Sequence, residues 1–262
     1  KSLRKVNSIN LPTSTFDRVD HVIWTGEQLL VLWENQKKND RVISYQLIHR
    51  NGRTSAKSFL VTLENCFSNF SKEHLVDVLK SPDNEYFGFI VNDIYSKKYS
   101  GKDANYLEFI AIFDKEGKLL DKQKNSFNTF QQLDGFHFLT NDAQYLKFKS
   151  LASKNQLILM KKDLIEKEKE VVTMYLKMPD TIQPVSYRIE YNPIQDNYSY
   201  LSTTKDKKDL KGINGTYIST FNLSQDSAIG QWYTPYPNEL LDASQQSFKI
   251  SEGNILLKDF SL

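Results

Sequence analysis

An all-β repeat fold is what this sequence predicts, and three observations predict it. Aromatic residues make up 13% of the 262 positions, with 14 Tyr and 16 Phe, a composition suited to strands rather than helices. Short apolar runs alternate with turns built on Asn, Asp and Ser, because Gly (10) and Pro (7) are scarce. Third, a pair of apolar strands joined by a polar turn recurs five times at a nearly constant step.

The first pair is Val19 to Trp24 and Leu29 to Trp33, joined at Thr25-Gly26-Glu27-Gln28. The second is Leu75 to Leu79 and Tyr86 to Val91, joined at Ser81-Pro82-Asp83-Asn84. Leu133 to Leu139 and Tyr145 to Phe148 flank Asn141-Asp142, and Tyr187 to Tyr191 and Tyr198 to Leu201 flank a turn at 192–197. The last pair is Phe248 to Ser251 and Ile255 to Leu257, around Glu252-Gly253-Asn254. Between Gly26, Asn84, Asp142, Asp196 and Gly253 the steps are 58, 58, 54 and 57 residues, which chance hairpins would not keep.

Each full unit carries a second hairpin. Val42 to Ile48 turns at Asn51-Gly52 into Phe59 to Leu63, and Tyr106 to Phe113 turns at Asp114-Lys115-Glu116-Gly117 into Leu119-Leu120. Thr216 to Phe221 returns through 222–227 to Ile229 to Tyr233. In the third unit, Leu157 to Met160 leads into the charged stretch Lys161 to Glu170, expected as one helical turn, before Val171 to Leu176.

Four antiparallel strands per unit at this period is the plan of a propeller blade, so the expectation is a single domain over 1–262, a β-propeller of about five four-stranded blades. The ring closes if Arg4 to Asn10 supplies an outer strand to the fifth, half-length unit; otherwise it is incomplete or the chain is an arc of a larger propeller. The turn Ser81-Pro82-Asp83-Asn84 before an aromatic-rich strand resembles the Ser-Pro-Asp-Gly turn of TolB-type and WD-repeat-like propellers, with Asn in place of Gly. What the resemblance implies is the fold and a broad role in binding partners or small ligands.

Composition narrows function chiefly by exclusion. The net charge of +2, from 34 basic and 32 acidic residues, gives no nucleic-acid signal, and no apolar run is long enough for a membrane span. A single cysteine, Cys66, rules out an intramolecular disulfide, and four histidines without ligand spacing point to no metal site. No motif calls for a cofactor. The chain opens on Lys1 rather than Met, which fits a processed export and a trimmed chain equally; an extracytoplasmic location (secreted, periplasmic or surface lipoprotein) is the expectation. The sequons at Asn69, Asn197, Asn214 and Asn222 match chance frequency and carry no weight.

Strand polarity puts both tight turns of a unit at one end and the longer links at the other. Those links are Lys-rich: Lys37 and Lys38, then Lys97, Lys98 and Lys102 with Tyr95 and Tyr99 interleaved, then Lys205, Lys207, Lys208 and Lys211. The functional reading is a basic, partly aromatic face for an acidic protein or a glycan, with Lys97, Lys98, Tyr95, Tyr99, Lys207 and Lys208 as its contacts. The plainer reading is lysine solvating exposed loops, with Asp40, Asp93, Asp103, Asp206 and Asp209 nearby.

Asp20, Asp77 and Asp134 lie 57 residues apart in both steps, each after an apolar residue at the head of a first strand. As carboxylates ringing a channel mouth they could serve as acid and base in a glycosidase-like, carbohydrate-active enzyme. As a feature of the repeat they would instead tie loops to backbone amides. Catalysis needs unlike residues in unlike roles, so the leading expectation is a non-catalytic binding or scaffolding propeller. Trp24, Trp33 and Trp232, inside or beside strands, are expected in the core.

Overall fold

A computed structural model describes residues 17–237, apart from 39, 65–74, 96–104, 128–134, 152–153, 209–212 and 224–227. The described residues form sixteen strands in four antiparallel sheets, each a simple up-and-down meander. Sheet 1 holds β1 (Asp17–Trp24), β2 (Gln28–Lys37), β3 (Asp40–His49) and β4 (Ser58–Leu63); sheet 2 holds β5 (Leu75–Lys80), β6 (Tyr86–Tyr95), β7 (Asn105–Asp114) and β8 (Leu119–Phe127). Sheet 3 is β9 (Phe136–Leu139), β10 (Gln144–Leu151), β11 (Gln156–Asp163) and β12 (Lys169–Tyr175). Sheet 4 is β13 (Ile182–Asn192), β14 (Asn197–Asp206), β15 (Gly215–Phe221) and β16 (Ala228–Pro235). Four of the five expected units are therefore four-stranded sheets with the strand plan of a propeller blade. Phe248 to Leu257 and Arg4 to Asn10 lie outside the described residues.

The repeat is visible in the backbone because each first hairpin needs a residue at positive φ. Gly26 (96°), Asn84 (63°), Ala143 (56°) and Asp196 (48°) provide it, 58, 59 and 53 residues apart. Only Gly adopts this region without strain, and Asn and Asp tolerate it better than most side chains. The third position falls on Ala143, one residue after the expected marker Asp142.

The expected helical turn within Lys161 to Glu170 is instead a hairpin. Met160, Lys161 and Lys162 of β11 pair with Val171, Glu170 and Lys169 of β12. Asp163 caps the turn by accepting from the amides of Ile165 and Glu166, both at 2.7 Å, and Lys167 takes φ 64°. A carboxylate so placed favours a tight turn over helix propagation.

The chain divides into two compact units, each with its own interior. Lys1–Asp134, Phe138–Tyr145 and Asp163–Glu168 form unit 1; Gly135–His137, Leu146–Lys162 and Lys169–Leu262 form unit 2. In unit 1, Leu30 and Leu32 of β2 meet Phe87, Phe89 and Val91 of β6, with Leu60, Leu63, Leu107, Phe109 and Phe113 completing a core of buried side chains. Each such side chain contributes on the order of 1.5–3 kcal/mol through burial. β2 also buries its other side, Val31 and Trp33, so both faces are apolar as a strand between layers requires.

Unit 2 is wetter. Phe148 packs tilted against Tyr198 (5.2 Å) and Phe221 (5.4 Å), while Tyr187 and Tyr200 stack at 5.5 Å. The tyrosine hydroxyls are used: Ser150 donates its amide to Tyr187 Oη (3.1 Å), its hydroxyl pairs with Tyr200 Oη (3.1 Å), and Tyr217 Oη donates to Gln231 Oε1. Burial first of all raises the phenols, Tyr217 to about 12 and Tyr198 further, so they remain neutral donors.

Candidate functional site

Both tight turns of a sheet share one end, as strand polarity requires. Lys115 in the second turn of sheet 2 pairs with Glu85 in the first (2.7 Å); Leu164 N donates to Ala143 O (2.9 Å), and Asn222 Nδ2 to Asp196 O (2.9 Å). The long links thus leave from the opposite end, where the sequence places its basic residues.

The link after β14 has a fastened neck. Asn214 N donates to Thr204 O (2.8 Å), Thr204 Oγ1 donates to Asn214 Oδ1 (3.1 Å), and Tyr236 N donates to Asn214 O (2.8 Å). Lys207 N reaches Thr181 O (2.7 Å) and Lys208 N reaches Asp206 Oδ1 (2.7 Å), fixing the backbone from which both side chains project. Lys207 and Lys208 are exposed, and neither ammonium has an ion pair among the described residues. Lys97, Lys98 and Tyr99 lie outside the described residues; Tyr95 ends β6, its backbone opposite Asn105.

Other lysines are committed to structure. Lys122 and Lys124 of β8 donate to the carbonyls of Leu60 (3.4 Å) and Thr62 (3.0 Å) in β4, clipping the outer edges of sheets 2 and 1. Lys167 donates to Leu120 O and Leu164 O, and Lys161 to Leu223 O (3.1 Å). A lysine held on a carbonyl keeps its charge but is less available to a partner.

The aspartates occupy unlike places. Asp20 falls within a β-bulge, where the register shifts between Val19 and His21, and its Oδ2 lies 4.0 Å from His21 Nδ1. Asp77 pairs with Ile90, whose neighbours Phe89 and Val91 point into the core shared with sheet 1. Side chains alternate along a strand, so Asp77 is on the face of sheet 2 turned away from Asp20's sheet, where it is exposed. Asp134 lies outside the described residues. Among the described residues no group of His, Cys, Asp or Glu could hold a metal ion.

The sequence places Thr25 and Ser81 at the heads of their turns, but the role of their hydroxyls, and Thr140 as the third turn head, emerge only from the structure. Thr25, Ser81 and Thr140 each close the turn through their backbone amides, onto Gln28 O, Tyr86 O and Gln144 O. Ser81 Oγ also accepts from Tyr86 N (3.0 Å) and donates to Asp83 Oδ1 (2.6 Å); Thr140 Oγ1 accepts from Gln144 N (3.1 Å). A hydroxyl at each turn head was the available signal. Of the tryptophans only Trp33 is core, 1% exposed beneath the Lys57 ammonium (3.8 Å); Trp24 and Trp232 are 49% and 57% exposed, with Trp232 folded over Gly230.

No family model and no curated protein matches this chain. Among solved structures it is similar to hydrazine synthase of Kuenenia stuttgartiensis, at 9% identity over 90% of this chain and 53% of that one, TM-score 0.39. The β-propeller domain of the Trilobed protease from Pyrococcus furiosus matches at 12% identity over 85% and 58%, TM-score 0.39. Levansucrase from Bacillus subtilis matches at 10% over 77% and 65%, TM-score 0.35. The chain thus spans between about half and two thirds of the length of these proteins. At TM-scores this low the likenesses bear on neither ligand nor activity.

Proposed function

We propose that this chain is a non-catalytic binding or scaffolding module whose long-link end engages an anionic macromolecule, an acidic protein or a glycan. The observation that carries the proposal is the division of labour among lysines. Lys122, Lys124, Lys161 and Lys167 are held on backbone carbonyls, whereas Lys207 and Lys208 project from a hydrogen-bonded neck without a partner among the described residues. A fixed backbone beneath mobile ammonium groups lowers the ordering cost of capturing an anion. The Ser81 to Asn84 turn, with Asn84 at φ 63° where its counterpart is Gly, supports kinship with TolB-type or WD-repeat-like propellers at the level of architecture.

The test is binding of the full chain to a sulfated polysaccharide and to poly-glutamate across a salt series. Replacing Lys97, Lys98, Lys207 and Lys208 with Glu should abolish binding and leave the melting temperature nearly unchanged, and wild-type affinity should fall as salt rises. Binding indifferent to both would refute the proposal. The enzymatic alternative requires carboxylates roughly 5–10 Å apart around one bond, and the outward turn of Asp77 counts against it. Glycan turnover by wild type that is lost in Asp20→Asn or Asp77→Asn, with stability intact, would reinstate it.

A further inference from the structure

At the tight-turn end of unit 1, between the two turns of sheet 1 and the second turn of sheet 2, lies a depression of about 540 Å³. This is the size range of small-molecule sites. Its lining brings the acceptors of Glu27, Glu116 and Gln28 together with His49 and Arg50. Gln28 is only 4% exposed; its amide nitrogen donates to Lys115 O (3.4 Å), and its amide oxygen has no partner among the described residues. Gly26 leaves the rim open, with nothing within 4 Å of the place a β-carbon would occupy.

The charged groups here are not spent on one another. Among the described residues, no side-chain hydrogen bond or ion pair engages Glu27, Glu116, His49 or Arg50, while the neighbouring Lys115 is taken by Glu85. Lys115 is shifted upward chiefly by its bond to Glu85, with Glu116 and Glu27 adding to the effect, so both carboxylates act on the same small volume. A lone cation entering would face Arg50, and a lone anion would face two carboxylates. A molecule carrying both charges satisfies both the carboxylates and Arg50.

We propose that this depression binds a small dipolar ion of the α-amino acid type, its ammonium on Glu27, Glu116 and the Gln28 amide oxygen, its carboxylate on Arg50 and His49. A free amino acid carries both charges, whereas the amino end of a peptide chain would bring the ammonium alone and leave Arg50 unused, so need for Arg50 separates the two. The test titrates the full chain with L-glutamine, N-acetyl-L-glutamine and L-glutaminamide, following the backbone amide signals of Gly26 and Asn51.

The free amino acid should shift both signals, acetylation should abolish the shifts, and amidation should weaken binding about tenfold or more, the usual effect of losing a charge-assisted hydrogen bond. Glu116→Gln should weaken glutamine and glutaminamide alike, and Arg50→Gln should weaken glutamine alone. Glutaminamide binding as well as glutamine, with both losing affinity in Glu116→Gln, would assign the ammonium half to a peptide terminus and overturn the free amino acid. No shifts at millimolar concentrations, or shifts unmoved by Glu116→Gln, would overturn the site itself.

Discussion

Gly117 and Gly52 offer a matched pair for measuring how firmly sheets 1 and 2 are joined. Both sit in second-hairpin turns at nearly the same positive φ, 79° and 83°. At Gly52 an added β-carbon meets nothing within 4 Å, so Gly52→Ala carries only the left-handed backbone strain, about 1–2 kcal/mol. At Gly117 the same carbon would stand 2.8 Å from Leu47 Cδ1, closer still to Cδ2, and 3.0 Å from Gln28 Nε2. Leu47 packs against the unit 1 core and cannot swing away freely. Overpacking adds about 1–3 kcal/mol, so Gly117→Ala should cost about 2–5 kcal/mol in all. Urea unfolding followed by circular dichroism measures both, and thermal midpoints should drop by about 2–4 °C for each kcal/mol. In a Leu47→Ala background most of the difference between the two glycine substitutions should disappear, since only Gln28 Nε2 then stands close. Equal losses in the wild-type background would refute the close approach of the sheet 2 turn to β3.

Two further outcomes follow from buried polar groups. Burial, aided by the Lys147 charge, depresses His137 from 6.5 to about 3, so an unfolded chain takes up a proton that the folded one refuses. Stability should be full above pH 6.5 and fall as pH drops towards 3, by up to about 1.4 kcal/mol per pH unit, a slope that His137→Gln should remove from urea unfolding curves. Ser81→Ala strips the hydroxyl that bridges Tyr86 N and Asp83 and should cost about 1–3 kcal/mol, whereas Ser81→Thr, the residue type at Thr25 and Thr140, should unfold like wild type.

The four-stranded units were legible because two independent signals coincide in them. Apolar alternation locates strands, and the turns between them need residues that tolerate positive φ, which is why Gly26, Asn84 and Asp196 marked the hairpins correctly. Where the second signal was absent the reading slipped. Ala143 carries positive φ with no sequence cue, its methyl 2% exposed. Lys161 to Glu170, rich in helix-forming Lys and Glu, read as a helical turn, but cross-strand pairing with 169–175 overrode propensity. The wetter interior of unit 2 was foreshadowed by Tyr187, Tyr198, Tyr200 and Tyr217 standing where sheets 1 and 2 use Leu, Val and Phe.

Even spacing along a chain does not by itself place side chains on one face of a sheet. Asp20, Asp77 and Asp134 are equally spaced, yet they stand five, four and six residues before Thr25, Ser81 and Thr140, where each first turn begins. With a side-chain period of two, a shift of one residue moves a side chain to the opposite face, and the bulge at Asp20 adds another. Position counted from the turn heads is the better guide to a side chain's face, since the hydrogen bonds that close a turn set the register of both flanking strands. The same reasoning explains which lysines were readable. Lys207 is exposed, as its place on a link between strands implies, whereas Lys122 and Lys124 reveal their structural use only when β8 is laid beside β4. Function at a blade end therefore has to be judged from what the local backbone leaves unsatisfied. By that criterion the groups left over are Lys207 and Lys208 beside the long link of sheet 4 in unit 2, and Glu27, Glu116 and Arg50 at the tight turns of unit 1.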